Sequence, residues 1–427
     1  MGDHPLHAGP PPGPLMVPPV IVAGAGLAGL ACALRLAEAG VAVTVVEAAP
    51  RAGGRTRSFH DPHLDRTLDN GSHLALSGNG ALVDYLRRCG AEDRMRAVRP
   101  ARFPFLDRRD GTRWTLRPGG LWFLDPQRRV PGAGAWAHLA ALRLLTAPPG
   151  ATVADVLPPG GPLFTRLWEP LAVSVLNGAP HAVSARLMGA VLRLTLLRGE
   201  RACRPLLPVR SLSHALVEPA LARLAALGVP VRCNARVDAL ERDGDRVTGV
   251  RVNGAVMPAG RVVLAVPPWA AARLVPGLTV PPPGPPIVNV HYRLPPDLGL
   301  PDDAPLLGLC GGTAEWLFQR GDVLSATASN AGALAEEPAD AIAARVWGDV
   351  RAALGTAAPQ PLFRVVKERR ATIAQTPGAE SLRPGPDGPL VGLTMAGDWT
   401  ATDLPATMEG AIVSGNRAAR AIIDPGK

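Results

Sequence analysis

Residues 20–57 read VIVAGAGLAGLACALRLAEAGVAVTVVEAAPRAGGRTR. Val20 to Val22 make a short apolar run, after which Gly24, Gly26 and Gly29 fall in G-x-G-x-x-G spacing. The apolar periodicity predicts a helix over Leu27–Ala39 and a second strand over Val41–Val46. In such a strand–turn–helix unit the first glycine makes the tight turn. The second lets backbone approach a pyrophosphate, and the third lets helix and strand pack closely. Ala25, Leu27 and Ala28 complete the loop, whose N–H groups and helix dipole favour phosphate. Glu47, followed by Ala48, ends the second strand roughly 20 residues on, where a carboxylate accepts hydrogen bonds from ribose hydroxyls. A carboxylate there repels a 2′-phosphate, so the expected adenosine is unphosphorylated. This stretch predicts a dinucleotide site.

Arg51, Gly53, Gly54 and Arg55 form an R-x-G-G-R that resembles the turn after the second strand in flavoproteins of the amine oxidase and carotenoid desaturase superfamily. Taken alone, it is also what a Gly-Gly turn between solvated arginines would look like. A second stretch lies near the other end of the chain. Met395-Ala396-Gly397-Asp398-Trp399-Thr400, followed by Pro405-Ala406-Thr407-Met408-Glu409-Gly410-Ala411, resembles the C-terminal FAD motif of the same superfamily. The resemblance implies that Gly397 and Asp398 reach the ribityl–pyrophosphate region. It also implies that a helix starting near Thr407, Met408 and Glu409 aims its N-terminus at the flavin, where reduced flavin carries negative charge. The expected cofactor is FAD. Val237, Ala265 and Pro267 are further cofactor contacts implied by the resemblance.

The chain has 427 residues, beyond the size at which one core keeps growing, so two domains are expected. Hydrophobic content of 47% with 19% charged residues is that of a globular protein. Pro, Gly or Arg interrupts every apolar run before it could span a bilayer. Residues 1–18 are too Pro-rich for a secretory signal and read as a disordered leader. The five cysteines are scattered without a C-x-x-C pair, which suggests reduced thiols in a cytoplasmic protein and no metal site. The formal charge of +9 is nearly all arginine. It reads either as coding bias, alongside 47 Gly and 47 Pro, or as docking on an anionic membrane. No basic run is interleaved with stacking aromatics, which argues against nucleic acid.

Along the chain, residues 76–205 read mostly as helices and Pro/Gly turns, with apolar stretches at Trp136–Leu145 and Leu163–Leu176. Leu212–Leu227 reads as a helix and Val229–Ala239 as a strand. Arg246–Val252 and Ala255–Val266 read as a hairpin leading to Pro267. Strands at Ile287–Arg293 and Val323–Ser329 flank a helix at Ala339–Leu354. No internal repeat is visible.

More specific blocks follow: Trp168-Glu169-Pro170-Leu171 with Leu176-Asn177, Pro267-Pro268-Trp269, Pro286 to His291, Gly311 to Phe318, and Val366 to Thr372. Together they resemble the squalene-associated FAD-dependent desaturases, understood as hydroxysqualene dehydroxylases of bacterial hopanoid and squalene biosynthesis. The block Val365–Asp398, with Arg383-Pro384, is also similar to plant-type phytoene desaturases. The likeness runs from about residue 19 to 420. Two departures stand out: Asn70-Gly71-Ser72-His73 where the family shows Asn-Gly-Gln-His, and Asn177-Gly178-Ala179 where it shows Asn-Thr-Pro.

The resemblance implies an α/β (α+β) fold, with a Rossmann-type FAD-binding domain of the amine oxidase/phytoene desaturase kind. Its discontinuous segments would be 19–75, 206–275 and 376–424. A substrate-binding domain of mixed sheet and helices, 76–205 and 276–375, is interleaved with it. The implied reaction is reductive dehydroxylation of a long apolar isoprenoid, with hydride passing to an allylic carbon that loses water. That chemistry needs a proton for the departing oxygen and a tunnel that excludes water. It also needs an electron donor that the sequence does not identify.

Asn70, Gly71, Ser72 and His73 are expected beside the flavin, and His73 or Asp69 as proton source or as structural anchors of that loop. Glu409 sits where the helix dipole favours an acid whatever its role. Asn177, Trp316 and Trp399 are candidates for the substrate tunnel, although the tryptophans would serve equally as core. Competing readings are a carotenoid-type desaturase, an amine oxidase, and a prenyl-binding escort protein without flavin. The amine oxidase reading lacks its usual Tyr and Lys: Tyr85 and Tyr292 are the only tyrosines, and the strand Ile287–Arg293 has no lysine.

Overall fold

A computed structural model describes residues 18–424, so all of the leader but its last residue lies outside the described residues. Val20–Ala23 is the middle strand of a five-stranded parallel sheet. The order is Val231–Arg232, Val43–Val46, Val20–Ala23, Arg261–Leu264, Leu393–Met395. Both faces of this sheet are covered, which is why its strands read as continuous apolar runs and not as alternating ones. Val20, Val22, Val43 and Val45 face a helical layer that includes Leu27–Glu38 and Met408–Ile423. Ile21, Ala23 and Leu264 face an antiparallel meander of Val237–Asp243, Arg246–Val252 and Ala255–Pro258. The first and last helices approach so closely that a Cβ on Gly415 would meet the Ala28 carbonyl oxygen at 2.1 Å.

Two expected strands prove to be composite. Val229–Ala239 splits into Val231–Arg232 in the parallel sheet and Val237–Asp243 in the meander, with Asn234 turning the chain at φ +52. The second arm of the expected hairpin likewise stops at Pro258, and Arg261–Leu264 crosses into the parallel sheet. The helix read over Leu212–Leu227 is a wide π-helical turn, Ser213–Val217, running into Glu218–Ala226. Pro219 has no N–H to close an ordinary helical turn there.

A seven-stranded mixed sheet forms the second layer. Its order is Phe363–Glu368, Ile287–Arg293, Val323–Ala328, Trp316–Arg320, Leu306–Cys310, Phe103–Asp107, Arg113–Leu116. Val288, Val290, Tyr292, Leu324 and Ala326 pack one face against the helix Ala339–Leu354. The opposite face carries Trp316 and Phe105 into a second apolar cluster, built with Trp168, Leu176 and Leu187 from the helical segment. One stretch read as part of the substrate domain sits elsewhere. The helix Gly80–Arg88 buries Leu82, Tyr85 and Leu86 in the core of the parallel sheet's helical layer. No helix of the described residues is long and apolar enough to cross a membrane. Nor do the described residues contain a cluster of metal-ligating side chains.

Candidate active site

The three glycines of the first turn differ in what surrounds them. Gly24 adopts φ +108, and a Cβ there would lie 2.4 Å from the Ala265 carbonyl oxygen. A Cβ on Gly29 would lie 1.9 Å from the Gly24 carbonyl oxygen. Both are excluded by the protein's own backbone. Gly26 faces open space, with nothing within 4 Å of a Cβ position. The helix that follows, Leu27–Glu38, has no side-chain cap at Gly26. The N–H groups of its first turn, from Leu27, Ala28 and Gly29, are therefore available to an anion. Gly53 and Gly54, at φ +115 and +55, fold over this opening, and the Gly53 N–H donates to the Ala25 carbonyl at 2.8 Å.

Glu47 accepts from the Ala25 and Ala49 N–H groups, each at 2.8 Å, with Ala48 between them. The Ala235 N–H donates to the Glu47 carbonyl, which brings buried Val237 to the same side. Pro267 precedes the helix Pro268–Leu274, and the Ala265 N–H donates to Ala23. Arg51 is exposed at the edge. Room at Gly26, free N–H donors and a carboxylate one strand away fit an adenine dinucleotide.

Arg55 joins the two ends of the chain. Its guanidinium donates to Asp398 Oδ1 and to the Ala371 carbonyl, each at 2.6 Å. Arg383 braces the same segment, donating to the carbonyls of Asp398 and Leu404 at 2.7 Å. Gly397 takes φ +146, and a Cβ there would strike the Trp399 indole at 2.4 Å. Trp399 is 1% exposed, donates to the Val266 carbonyl and belongs to the core beneath the parallel sheet. It fills core; the tunnel expectation is corrected.

Thr407 caps the last helix by accepting from the Gly410 N–H at 3.2 Å, and Met408 is buried among the first helices. Glu409 turns away from this end. Its two oxygens accept from the Ala81 and Leu82 N–H groups at 2.9 and 2.8 Å, so it caps the helix Gly80–Arg88. Burial pushes its carboxyl above the ordinary range, against the pull of those two donors. It therefore ties two helices together, a correction to its reading as a cofactor contact.

The loop 69–73 lies against the seven-stranded sheet. Asp69 accepts from Ser58 Oγ at 2.6 Å and the Leu212 N–H at 2.9 Å, and pairs with Arg320 at 2.8 Å. With three donors on one buried carboxylate, Asp69 anchors the loop and is poorly suited to deliver a proton. Asn70 donates to Glu368 at 3.0 Å. Asn289 Oδ1 accepts from Thr327 at 2.8 Å and from the Ser72 N–H at 3.4 Å, directly under Gly71. His73 is half-buried. Burial lowers its pKa, the Asp69 charge opposes that shift and the Arg55 charge adds to it.

Beyond the loop, the sheet presents aromatic side chains. Trp316 lies 5.4 Å from Phe105 and 6.2 Å from Phe318, and Phe105 stacks on Trp114 at 5.2 Å. The Trp316 indole N–H is held by Ser174 Oγ at 2.8 Å, which leaves the ring's faces to apolar contacts. Asn177 does not share this wall. At φ +49 it ends the helix Glu169–Leu176. Its amide donates to Pro285 O and Thr372 Oγ1, and its oxygen accepts from the Asn330 N–H. It staples three segments, which corrects the tunnel reading.

Asn289, Thr327, Arg320 and Arg383 were not picked from the sequence as site residues. For Asn289 a signal existed: strand alternation puts Asn289 and His291 on one face of an otherwise apolar run.

Residues 27–423 match the family model described as flavin containing amine oxidoreductase. The chain is 44% identical to the hydroxysqualene dehydroxylase of Rhodopseudomonas palustris, over 96% of this chain and 99% of the relative. To that of Sinorhizobium fredii it is 42% identical, over 94% and 97%. Its fold is shared with cyclohexylamine oxidase from Brevibacterium oxydans, at a TM-score of 0.70, 18% identity and coverage of 96% and 99%. The chain belongs to the hydroxysqualene dehydroxylases, within the flavin-containing amine oxidoreductase family.

Proposed function

We propose that this FAD-dependent oxidoreductase removes the hydroxyl group of hydroxysqualene reductively, giving squalene and water. The observation that carries the reading is the Arg55–Asp398 pair. It locks the N-terminal Gly-Gly turn to the C-terminal motif. In this reading the aromatic cluster of Trp316, Phe105 and Phe318 forms one wall of the substrate chamber. In this reading the N–H groups at Gly26 to Gly29 hold the pyrophosphate and Glu47 holds the adenosine ribose. Asn70, Gly71 and Ser72 lie along the ring. When bound and reduced, FAD supplies the hydride.

The chain's own residues do the rest. The aromatic wall excludes water from the carbon that loses hydroxide, so hydride and not solvent reaches it. His73 holds a proton for the departing oxygen at a ring nitrogen, directly or through one water. Asp69, fixed by Arg320 and Ser58, keeps that loop in place. The thiols of Cys32, Cys203 and Cys310 are each pushed up to about 12 by burial, so they take no part.

The amine oxidase reading loses ground on geometry. Tyr85 and Tyr292 donate to the backbone carbonyls of Leu216 and Ala343, inside two cores. Lys367 donates to the Glu337 carbonyl, on the far face of the sheet. A carotenoid-type desaturase would share the apolar wall but run the flavin in the opposite direction. Anaerobic incubation of the reduced holoenzyme with hydroxysqualene separates the two. Squalene formed with flavin reoxidation is expected; no squalene, with phytoene desaturated by the oxidised enzyme, would overturn the assignment.

A further inference from the structure

Several large exposed apolar side chains stand together on two adjoining segments. Leu121, Leu124, Trp136, Leu139 and Leu142 are 67, 41, 71, 39 and 44% exposed. The cause lies in the local winding. Trp136–Thr146 coils at three residues per turn, so Trp136, Leu139 and Leu142 stand along one outer ridge. His138, Ala141 and Leu144 form the buried ridge one step away. The Phe123 ring leans on Trp136 at 6.4 Å and links the ridge to the loop carrying Leu121 and Leu124. Leu197, 48% exposed, belongs to a neighbouring turn. That turn meets the loop where a Cβ on Gly119 would touch Glu200 at 2.7 Å.

The rim of this patch is basic. Arg117, Arg143, Arg193 and Arg198 are exposed around it. Arg128 and Arg129 brace the loop through the carbonyls of Gly119 and Phe123. Nearby acids are engaged locally: Glu200 with Arg204 at 2.8 Å, Asp155 with the Thr152 N–H and hydroxyl at 2.8 Å, and Asp125 with the Gln127 N–H at 2.9 Å. Ala141 and Leu144 of the buried ridge belong to the same cluster as Trp168 and Trp316, so the patch is the outer side of that cluster.

The geometry points to this ridge as the surface that docks on an anionic lipid bilayer. Trp136 and the leucines enter the headgroup boundary, and the arginines pair with lipid phosphates. A contiguous apolar surface of this kind marks an interaction site. A second copy fits it poorly, since a twofold pairing would bring the arginine rim onto itself. The inference rests on the dehydroxylase reading in one respect: a substrate that apolar is supplied from lipid, next to the wall it must cross.

Flotation of the FAD-loaded full chain with vesicles tests this. Binding is expected to vesicles of phosphatidylcholine with phosphatidylglycerol, and to weaken in phosphatidylcholine alone and in high salt. The variant W136S/L139S/L142S should partition roughly ten-fold less or more, and R117E/R143E should lose mainly the salt-sensitive part. Both should keep their flavin absorbance and their turnover of detergent-dispersed hydroxysqualene. A wild-type protein that stays in the aqueous layer overturns the proposal. So does a triple variant that floats like wild type, or a wild-type dimer that the triple variant turns into a monomer without any vesicle binding. Flotation as expected, with no squalene formed in detergent, supports the docking surface and sinks the dehydroxylase reading instead.

Discussion

The glycine turn and the proposed aromatic chamber are built from different materials. At the turn the backbone does the work: Gly24 and Gly29 have no room for a side chain, and Gly26 faces open space. At the chamber wall the backbone is an ordinary sheet, and the chemistry sits in side chains that cross-strand pairing sets next to each other. Asn289 and Thr327 face each other across one strand pair, as do His291 and Ser325. A backbone-built site fails abruptly when an atom is added. A site built from side chains degrades by degrees.

The sharpest way to break that contrast is within the turn itself. Gly29→Ala sets a Cβ against the Gly24 carbonyl, with no flexible side chain to yield. A colourless protein is expected, destabilised by about 3 kcal/mol or more. Gly26→Ala meets no protein atom, so the apoprotein should melt within about 1 kcal/mol of wild type while still losing FAD. Thermal denaturation with and without FAD checks both. A Gly26→Ala holoenzyme as yellow as wild type would mean that the pyrophosphate lies elsewhere.

At the chamber, His73→Ala should lower turnover by about 100-fold and leave the bound flavin in place. Unchanged single-turnover squalene formation would remove His73 from the chemistry. Asp398→Asn is a smaller perturbation, since it weakens a pair whose Arg55 end keeps solvent access. A cost of about 1–2 kcal/mol is expected, read as faster FAD loss in equilibrium dialysis.

A pH-dependent effect concerns Glu315, which enters the Trp316 strand. Burial pushes its carboxyl up to about 8 from 4.5, although it accepts from the Ser329 N–H. The folded chain therefore keeps a proton that the unfolded chain releases between pH 4.5 and 8. Stability falls as pH rises through that window and levels off above it. Glu315→Gln, which retains an acceptor for Ser329, should flatten this slope in urea titrations at pH 5 and 9. A slope that survives the substitution would assign it to another group.

The glycine spacing could be read from sequence because its causes are local: the turn, the helix start and the strand after it occupy fewer than forty consecutive residues. The roles of Asp69, Asn177, Trp399 and Glu409 could not be chosen from sequence for the opposite reason. The Glu409 carboxylate is satisfied by N–H groups 327 and 328 residues away, and Asn177 by atoms 108, 153 and 195 residues away. Nothing at those positions in sequence distinguishes a polar group facing a ligand from one stapling two helices. Arg383 had a legible neighbourhood, yet its target, the Asp398 carbonyl, depends on how the chain turns back between them.

Sequence alone determined the dinucleotide turn, the choice of an unphosphorylated adenosine and the family. Each rests on residue identity within short windows, where sterics and hydrogen-bonding capacity leave few solutions. Tertiary structure decided which acids anchor, which polar groups staple distant segments, and where apolar residues remain on the surface. Those outcomes depend on which distant donors and apolar faces the fold brings together, and burial then fixes the charge state of each group.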